Sequence, residues 1–174
     1  LSFNILLHVA TLAAVFAAFY NDIIEMIKAF FAMLGDLFRG KGLRLKEFEY
    51  RRLIAMLIVG TIPAVVAALL FGDLISNPRL WQIGVFLLIT AALLFASEKL
   101  GGGKTELKDM TYKQAVCVGI FQGFGTLPGI SRSGSTIVGG LFSRLSRETA
   151  VRFSFLLSIP AILGALVLDL KDIT

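Results

Sequence analysis

Residues 128–136 read Pro-Gly-Ile-Ser-Arg-Ser-Gly-Ser-Thr and stand between two uncharged apolar runs. Four hydroxyl side chains and one arginine within nine residues are a constellation for binding an anion. The guanidinium of Arg132 is a planar fork that matches phosphate or carboxylate. Pro128 and Gly129 stop a preceding helix, by ring geometry and by backbone freedom respectively. Ser131, Ser133, Ser135 and Thr136 can cap the helix that follows, whose first N–H groups point into the turn. Helix-end N–H groups, hydroxyls and an arginine together make an anion site. No Asp or Glu occurs between residues 110 and 147, so the counter-ion of Arg132 comes from another segment or from the ligand. A phosphate is the natural candidate. For Gly119/Gly123 and Gly125/Gly129, spaced as in GxxxG, close helix packing is the stronger reading. For Arg132 a structural ion pair is the weaker one, because an intramembrane charge marks a functional site by default.

The elements that must position this turn follow from composition. Of 174 residues, 56% are hydrophobic, and the mean hydropathy is +0.82. A soluble domain of this length cannot hide so much apolar surface, so the expected class is an all-α polytopic membrane protein. A span needs about 20 mainly apolar residues. Stretches at about 1–20, 53–71, 81–97 and 153–170 qualify, within one membrane domain covering 1–174. Pro63 and Pro160 fall inside spans, where neighbouring helices re-satisfy the freed carbonyls. Residues 22–38 carry Asp22, Glu25, Lys28 and Asp36 at helical spacing on an apolar background, which predicts an amphipathic helix at the interface or a packed extension. The opening stretch lacks a basic leader and begins with Leu, so it fits a span better than a signal peptide.

Basic residues cluster at 39–52, 98–114 and 143–152, whereas 72–80 and the tail hold one each. The positive-inside rule puts the first three in the cytoplasm. Residues 115–142 then start and finish on one side and are too short for two crossings, which need about 40 residues. The economical solution is a re-entrant hairpin: half-helices at 115–126 and 134–142 with the arginine turn at the tip. Broken helices are where transporters and membrane enzymes keep binding sites. The basic runs read as solvated loops touching anionic lipid heads, and the net charge of +5 reflects them rather than nucleic acid.

Other chemistry is poorly supported. No nucleotide P-loop pattern occurs. His8 has no Cys, Asp or Glu beside it and reads as a packed or hydrogen-bonded span residue. The lone Cys117 excludes an internal disulfide and a Cys-based zinc site. SRLSRETAVRF begins like a lipid-phosphatase signature but lacks the later histidine nucleophile.

PGISRSGST resembles the PGxSRSxxT motif of the undecaprenyl-diphosphate phosphatase family, also called the bacitracin-resistance protein family. Its surroundings, DMTYKQAVCVGIFQGFGTL and IVGG, agree, as do SRETAVRFSFLLSIPAILGALVLDL, NILLHVATLAAVFAAFY and GTIPAVVAALLF. The resemblance covers essentially the whole chain. It implies a multi-pass enzyme of the inner (plasma) membrane that hydrolyses undecaprenyl diphosphate to the monophosphate, recycling the lipid carrier of cell-wall synthesis. It further implies a divalent cation, Mg²⁺ or Ca²⁺, and a site facing the outer side. Arg132, Ser131, Ser133 and Thr136 match the motif and are the implied catalytic set; Gly129, Gly134, Ser135 and Gln122 are the implied substrate contacts. The family is built from two inverted repeats, and 115–142 corresponds to the second hairpin, with Gln122-Gly123 at the counterpart of the acidic motif. That glutamate-rich motif, with its serines and histidine, is expected upstream, and further spans downstream. His8 matches the span after the first hairpin instead. On this reading the chain is an internal excerpt with no metal ligands of its own, and activity belongs to the whole protein. The implied partners are the isoprenoid diphosphate lipid, membrane lipids and a possible homodimer.

Two attacking groups stay open: Ser131 or Ser133 in covalent catalysis, or water activated by a glutamate. The water route is preferred, since a serine without a base is a poor nucleophile. Two rival classes predict different behaviour. A transporter or flippase for a phosphorylated lipid or another anion could use the same helix-end site without chemistry. A packing subunit would tolerate loss of Arg132 but not bulk at Gly123 or Gly125.

Overall fold

The computed structural model describes residues 3–171; the side chains of residues 3–5, His8, Asp73, Ser76 and those from Ala165 onward lie outside the described set. The expectation for His8 therefore lies outside the described residues. The chain is an all-α polytopic membrane protein, with no strand among the described residues. Its helices are α1 (Phe3–Ala18), α2 (Tyr20–Phe38), α3 (Glu49–Leu70), α4 (Gly72–Ser76), α5 (Leu80–Lys99), α6 (Tyr112–Phe124), α7 (Arg132–Phe142) and α8 (Arg147–Lys171). Both α3 and α5 are long and apolar enough to cross a membrane. The apolar stretches read at 1–20 and 153–170 fall in α1 and α8, and the amphipathic stretch forms α2. α1 and α2 meet at Phe19 with a bend of 90°. The connection at 72–80, expected as plain loop, contains the single-turn helix α4.

Two compact units divide the chain, one of residues 1–58 with 158–174 and one of residues 59–157. In the first, the acidic residues of α2 have specific partners. Tyr50 Oη donates to Asp22 Oδ1 at 3.2 Å, and Arg51 pairs with Asp36 at 2.8 Å. Arg51 also donates to the Leu43 carbonyl and lies over the Phe48 ring. The amphipathic pattern of α2 thus encodes attachment to the start of α3 as well as polarity. The Arg51 hydrogen bond, reinforced by the charges of Arg51, Arg44 and Lys41 and opposed by partial desolvation, holds the Asp36 carboxyl below its usual 3.8. A carboxyl whose folded pKa is depressed stabilises the fold above its unfolded pKa, and that contribution is lost as pH falls through the folded value. Thermal melts in detergent should therefore fall as pH drops below 3.8, and Asp36→Asn should flatten that slope while lowering stability at neutral pH.

The second unit is assembled through small residues. A Cβ on Gly119 of α6 would lie 2.1 Å from the Gly60 carbonyl oxygen of α3, and one on Gly123 would meet the Ala67 methyl at 2.8 Å. Packing is therefore the observed role of this glycine pair, at a separation only Gly-on-backbone contact permits. Gly139 of α7 lies against Phe121 of α6, and Gly140 against Ala150 of α8. The pair Gly125/Gly129 serves differently: Gly125 abuts Arg132 Cα within the turn, and Gly129 abuts α5.

The loops at 98–114 and 143–146 are more than solvated basic segments. Gly103 N donates to Leu145 O at 2.7 Å, Ser146 N to Thr105 O at 2.9 Å and Thr105 N to Arg144 O at 3.3 Å. Leu107, Met110 and Leu145 are buried among them. Apolar residues interspersed with the lysines, hidden by a charge count, account for this difference. Gln114 Nε2 adds a bond to Ser143 O at 2.8 Å. The segment 115–142 is thus stitched at its two ends, so it leaves where it enters.

Candidate active site

α6 has 13 residues and α7 has 11, giving legs of about 20 and 16 Å by helical rise. Neither can cross a hydrocarbon core of about 30 Å. The legs run antiparallel: Gln114 meets Ser143, Cys117 Sγ approaches Gly139 O, and Gly125 meets Arg132. A capping box at Thr111 and Gln114 starts α6, and the chain turns at 125–131.

Local chemistry explains the turn. Gly129 adopts φ +100°, a left-handed conformation that favours glycine, and a Cβ there would lie 2.9 Å from Ile83 O of α5. Ser131 is the N-cap of α7: its Oγ accepts from Gly134 N at 3.1 Å, and its carbonyl accepts from Ser135 N at 2.9 Å. The N–H groups of Arg132 and Ser133 precede the first helical bonds and have no acceptor among the described residues. Arg132 is the single charged residue between Lys113 and Arg144. It is half-buried, and its guanidinium has neither a carboxylate nor a hydrogen-bond acceptor among the described residues. A cation, two free N–H groups and the exposed Ser133 thus share the start of one helix, the arrangement that binds an oxyanion.

The remaining motif residues point inward. Thr136 is 1% exposed, and its hydroxyl donates to the carbonyls of Arg132 (3.0 Å) and Ser133 (3.1 Å), fixing the first turn of α7 from behind. Ser135 is 0% and Gln122 1% exposed, and neither the Ser135 hydroxyl nor the Gln122 amide has a hydrogen-bond partner among the described residues. Gly134 is buried against Leu94 and the Ser131 side chain. Arg132, Ser131 and Ser133 are therefore brought together at the turn, with Gly129 shaping it. Gln122, Gly134, Ser135 and Thr136 lie in the interior beneath. An unpartnered buried amide costs about 1–3 kcal/mol. Gln122→Met is accordingly expected to raise the melting temperature; a lowered one would mean that the amide is hydrogen-bonded in the folded protein.

One residue outside the motif bonds the turn and was not singled out by sequence. Thr90 of α5 donates from Oγ1 to Gly129 O at 2.9 Å and accepts from Ser131 N at 3.0 Å. It carries no pattern signal, since isolated Thr residues are common in apolar helices. Among the described residues no three His, Cys, Asp or Glu side chains converge. The described residues thus do not fit the divalent cation implied by the resemblance, and no step is assigned to it.

The family model described as "Bacitracin resistance protein BacA" matches residues 1–174. A protein of Alkaliphilus metalliredigens named undecaprenyl-diphosphatase is 50% identical over 173 residues, 98% of this chain and 62% of that protein. A Methanosphaera stadtmanae protein of the same name is 46% identical, covering 99% of this chain and 64% of its own length. Undecaprenyl-diphosphatase 4 of Bacillus thuringiensis is 41% identical, covering 97% and 58%. The chain thus spans a little under two thirds of the length of these relatives.

Proposed function

Since the chain belongs to the bacitracin resistance protein family, we propose that it carries the arginine-bearing part of an undecaprenyl-diphosphate phosphatase site. The observation that carries this reading is Arg132: a half-buried cation without an anionic partner among the described residues, at a helix start with two free N–H groups. A terminal phosphate supplies the missing charge and acceptors. Relatives bearing the diphosphatase name cover nearly this whole chain, which supports the same substrate class.

Hydrolysis of a phosphoanhydride gains mostly from positioning and charge neutralisation. In our reading, Arg132 and the N–H groups of Arg132 and Ser133 hold the terminal phosphate oxygens as negative charge shifts toward the bridging oxygen. A water oxygen attacks the terminal phosphorus and the bond to the bridging oxygen breaks. The products are undecaprenyl phosphate and inorganic phosphate. Water is preferred over serine as nucleophile because no carboxylate or histidine accompanies Ser131 or Ser133 in the hairpin, and the Ser131 hydroxyl already serves as the cap. Ser133 is exposed and joins the phosphate ligands.

The protein would be multi-pass in the plasma membrane, with 39–52, 98–114 and 143–152 on the cytoplasmic side and the site reached from the outer side. Lipid-carrier recycling for cell-wall synthesis and bacitracin resistance follow from that placement, and the partners are the isoprenoid diphosphate, bilayer lipids and a second copy in a homodimer. The test is phosphate release from undecaprenyl diphosphate by purified protein of full family length, in detergent with Mg²⁺ or Ca²⁺, beside lipid flux in liposomes. Release supports the phosphatase; flux without release would put the same anion site in a transporter.

A further inference from the structure

We propose that Thr90, on the otherwise apolar helix α5, is the positioning residue that sets the geometry of the anion-binding turn. The role assigned to it rests on the phosphatase reading of that turn; the hydrogen-bond clamp itself does not.

Threonine in an apolar helix ordinarily bonds back to its own helix, which satisfies the hydroxyl locally. Other helix threonines of this chain do so: Thr11 donates to Leu7 O at 2.8 Å and Thr136 to Arg132 O at 3.0 Å. Thr90 departs from that habit. Its hydroxyl reaches across to another segment and is used there as both donor and acceptor, to Gly129 O and from Ser131 N. One side chain thereby ties together the two peptide units that bracket Ile130, two residues before Arg132.

The bonds sit within a contact stripe along α5. Ile83 O and the Phe86 Cβ crowd Gly129, Leu94 crowds Gly134, and the Ser97 carbonyl accepts from Arg147 at 3.1 Å. These α5 positions recur every three or four residues, one face of a helix. Thr90 is the member of the stripe that bonds the turn. Its position also has an electrostatic consequence. A free Gly129 carbonyl near Arg132 would compete with a ligand anion for the guanidinium, and at membrane depth it would lack any other donor. A free Ser131 N–H would be a third donor in the wrong place. With both consumed by Thr90, the N–H groups of Arg132 and Ser133, the Ser133 hydroxyl and the guanidinium are the donors that face a ligand at the start of α7.

Because donors must be held within a fraction of an ångström of the productive geometry, loosening the turn is expected to be expensive in rate: a misplacement of about 1 Å can cost about 100-fold. The experiment compares wild type, Thr90→Val, Thr90→Ser and Thr11→Val at full family length. It reads kcat and KM for phosphate release, together with hydrogen–deuterium exchange of peptides covering 124–134. Valine keeps the shape and removes both bonds; serine keeps both. The expected result is that Thr90→Val lowers kcat/KM about tenfold or more, with a raised KM and faster exchange across the turn. Thr90→Ser should restore both readouts, and Thr11→Val should change neither. A loss of folded protein alone would lower the apparent kcat without moving KM. Unchanged KM and exchange in Thr90→Val overturns the proposal, as does equal impairment of the valine and serine variants. If wild type releases no phosphate, the phosphatase reading fails and the exchange data alone decide whether Thr90 clamps the turn.

Discussion

Arg132→Ala in protein of full family length is expected to lower phosphate release by at least about 10³-fold, the scale on which arginines contribute to phosphoryl transfer. Arg132 carries the only positive side-chain charge in the hairpin between Lys113 and Arg144. Without it, the two free N–H groups at the start of α7 remain as neutral donors. The loss should appear in kcat as well as KM, because negative charge is redistributed over the transferring phosphoryl group. Arg132→Lys is expected to recover only part of the rate: an ammonium restores charge but not the planar fork that grips two oxygens. Steady-state kinetics of both variants checks this. Lysine activity equal to wild type would mean that Arg132 acts as a point charge only.

The second large effect is structural. Gly119→Ala is expected to cost about 3 kcal/mol or more and to abolish recovery of folded protein in detergent. The added methyl carbon would lie 2.1 Å from the Gly60 carbonyl oxygen, with the Gly60 Cα at 3.1 Å, and all these neighbours are backbone. Relief requires α3 and α6 to separate, which also withdraws Ala67 from Gly123. Since α6 is one leg of the hairpin, the turn loses its support. Gly84→Ala is the matched control: nothing lies within 4 Å of a Cβ there, so it should be neutral or stabilise α5 by up to about 1 kcal/mol through helix propensity. Size-exclusion profiles and thermal melts of the two variants distinguish a specific crossing from a general intolerance of alanine.

Much of this architecture was legible in the residues. Apolar runs of near-span length marked α1, α3, α5 and α8, because a bilayer imposes length more strictly than a soluble core does. The charge distribution led to the expectation of a hairpin over 115–142, and the Gln114–Ser143 bond brings the outer ends of α6 and α7 together. The arginine turn announced itself by type and spacing. What stayed hidden is which way each residue faces. Ser135 and Thr136 look like further ligands in PGISRSGST, yet helical periodicity turns them inward behind Ser131 and Arg132. Thr90 was invisible for a related reason: the contact stripe Ile83, Phe86, Thr90, Leu94 is as apolar as the rest of α5, so no amphipathic pattern distinguishes it. The pairing of Asp22 with Tyr50 and of Asp36 with Arg51 joins residues far apart in sequence, which local spacing cannot encode. Buried Leu107, Met110 and Leu145 were masked by the lysines and arginines around them.

The central claim is that this turn binds a diphosphate group through Arg132. It is tested most directly by measuring the affinity of a short-chain isoprenoid diphosphate for wild-type and Arg132→Gln protein at full family length, by calorimetry in detergent. A hydrogen bond to a charged group contributes about 1.5–3 kcal/mol, so the variant should bind about 10- to 100-fold more weakly while remaining folded. Equal affinity in a folded Arg132→Gln variant would contradict the account, because the diphosphate would then be held somewhere other than this turn.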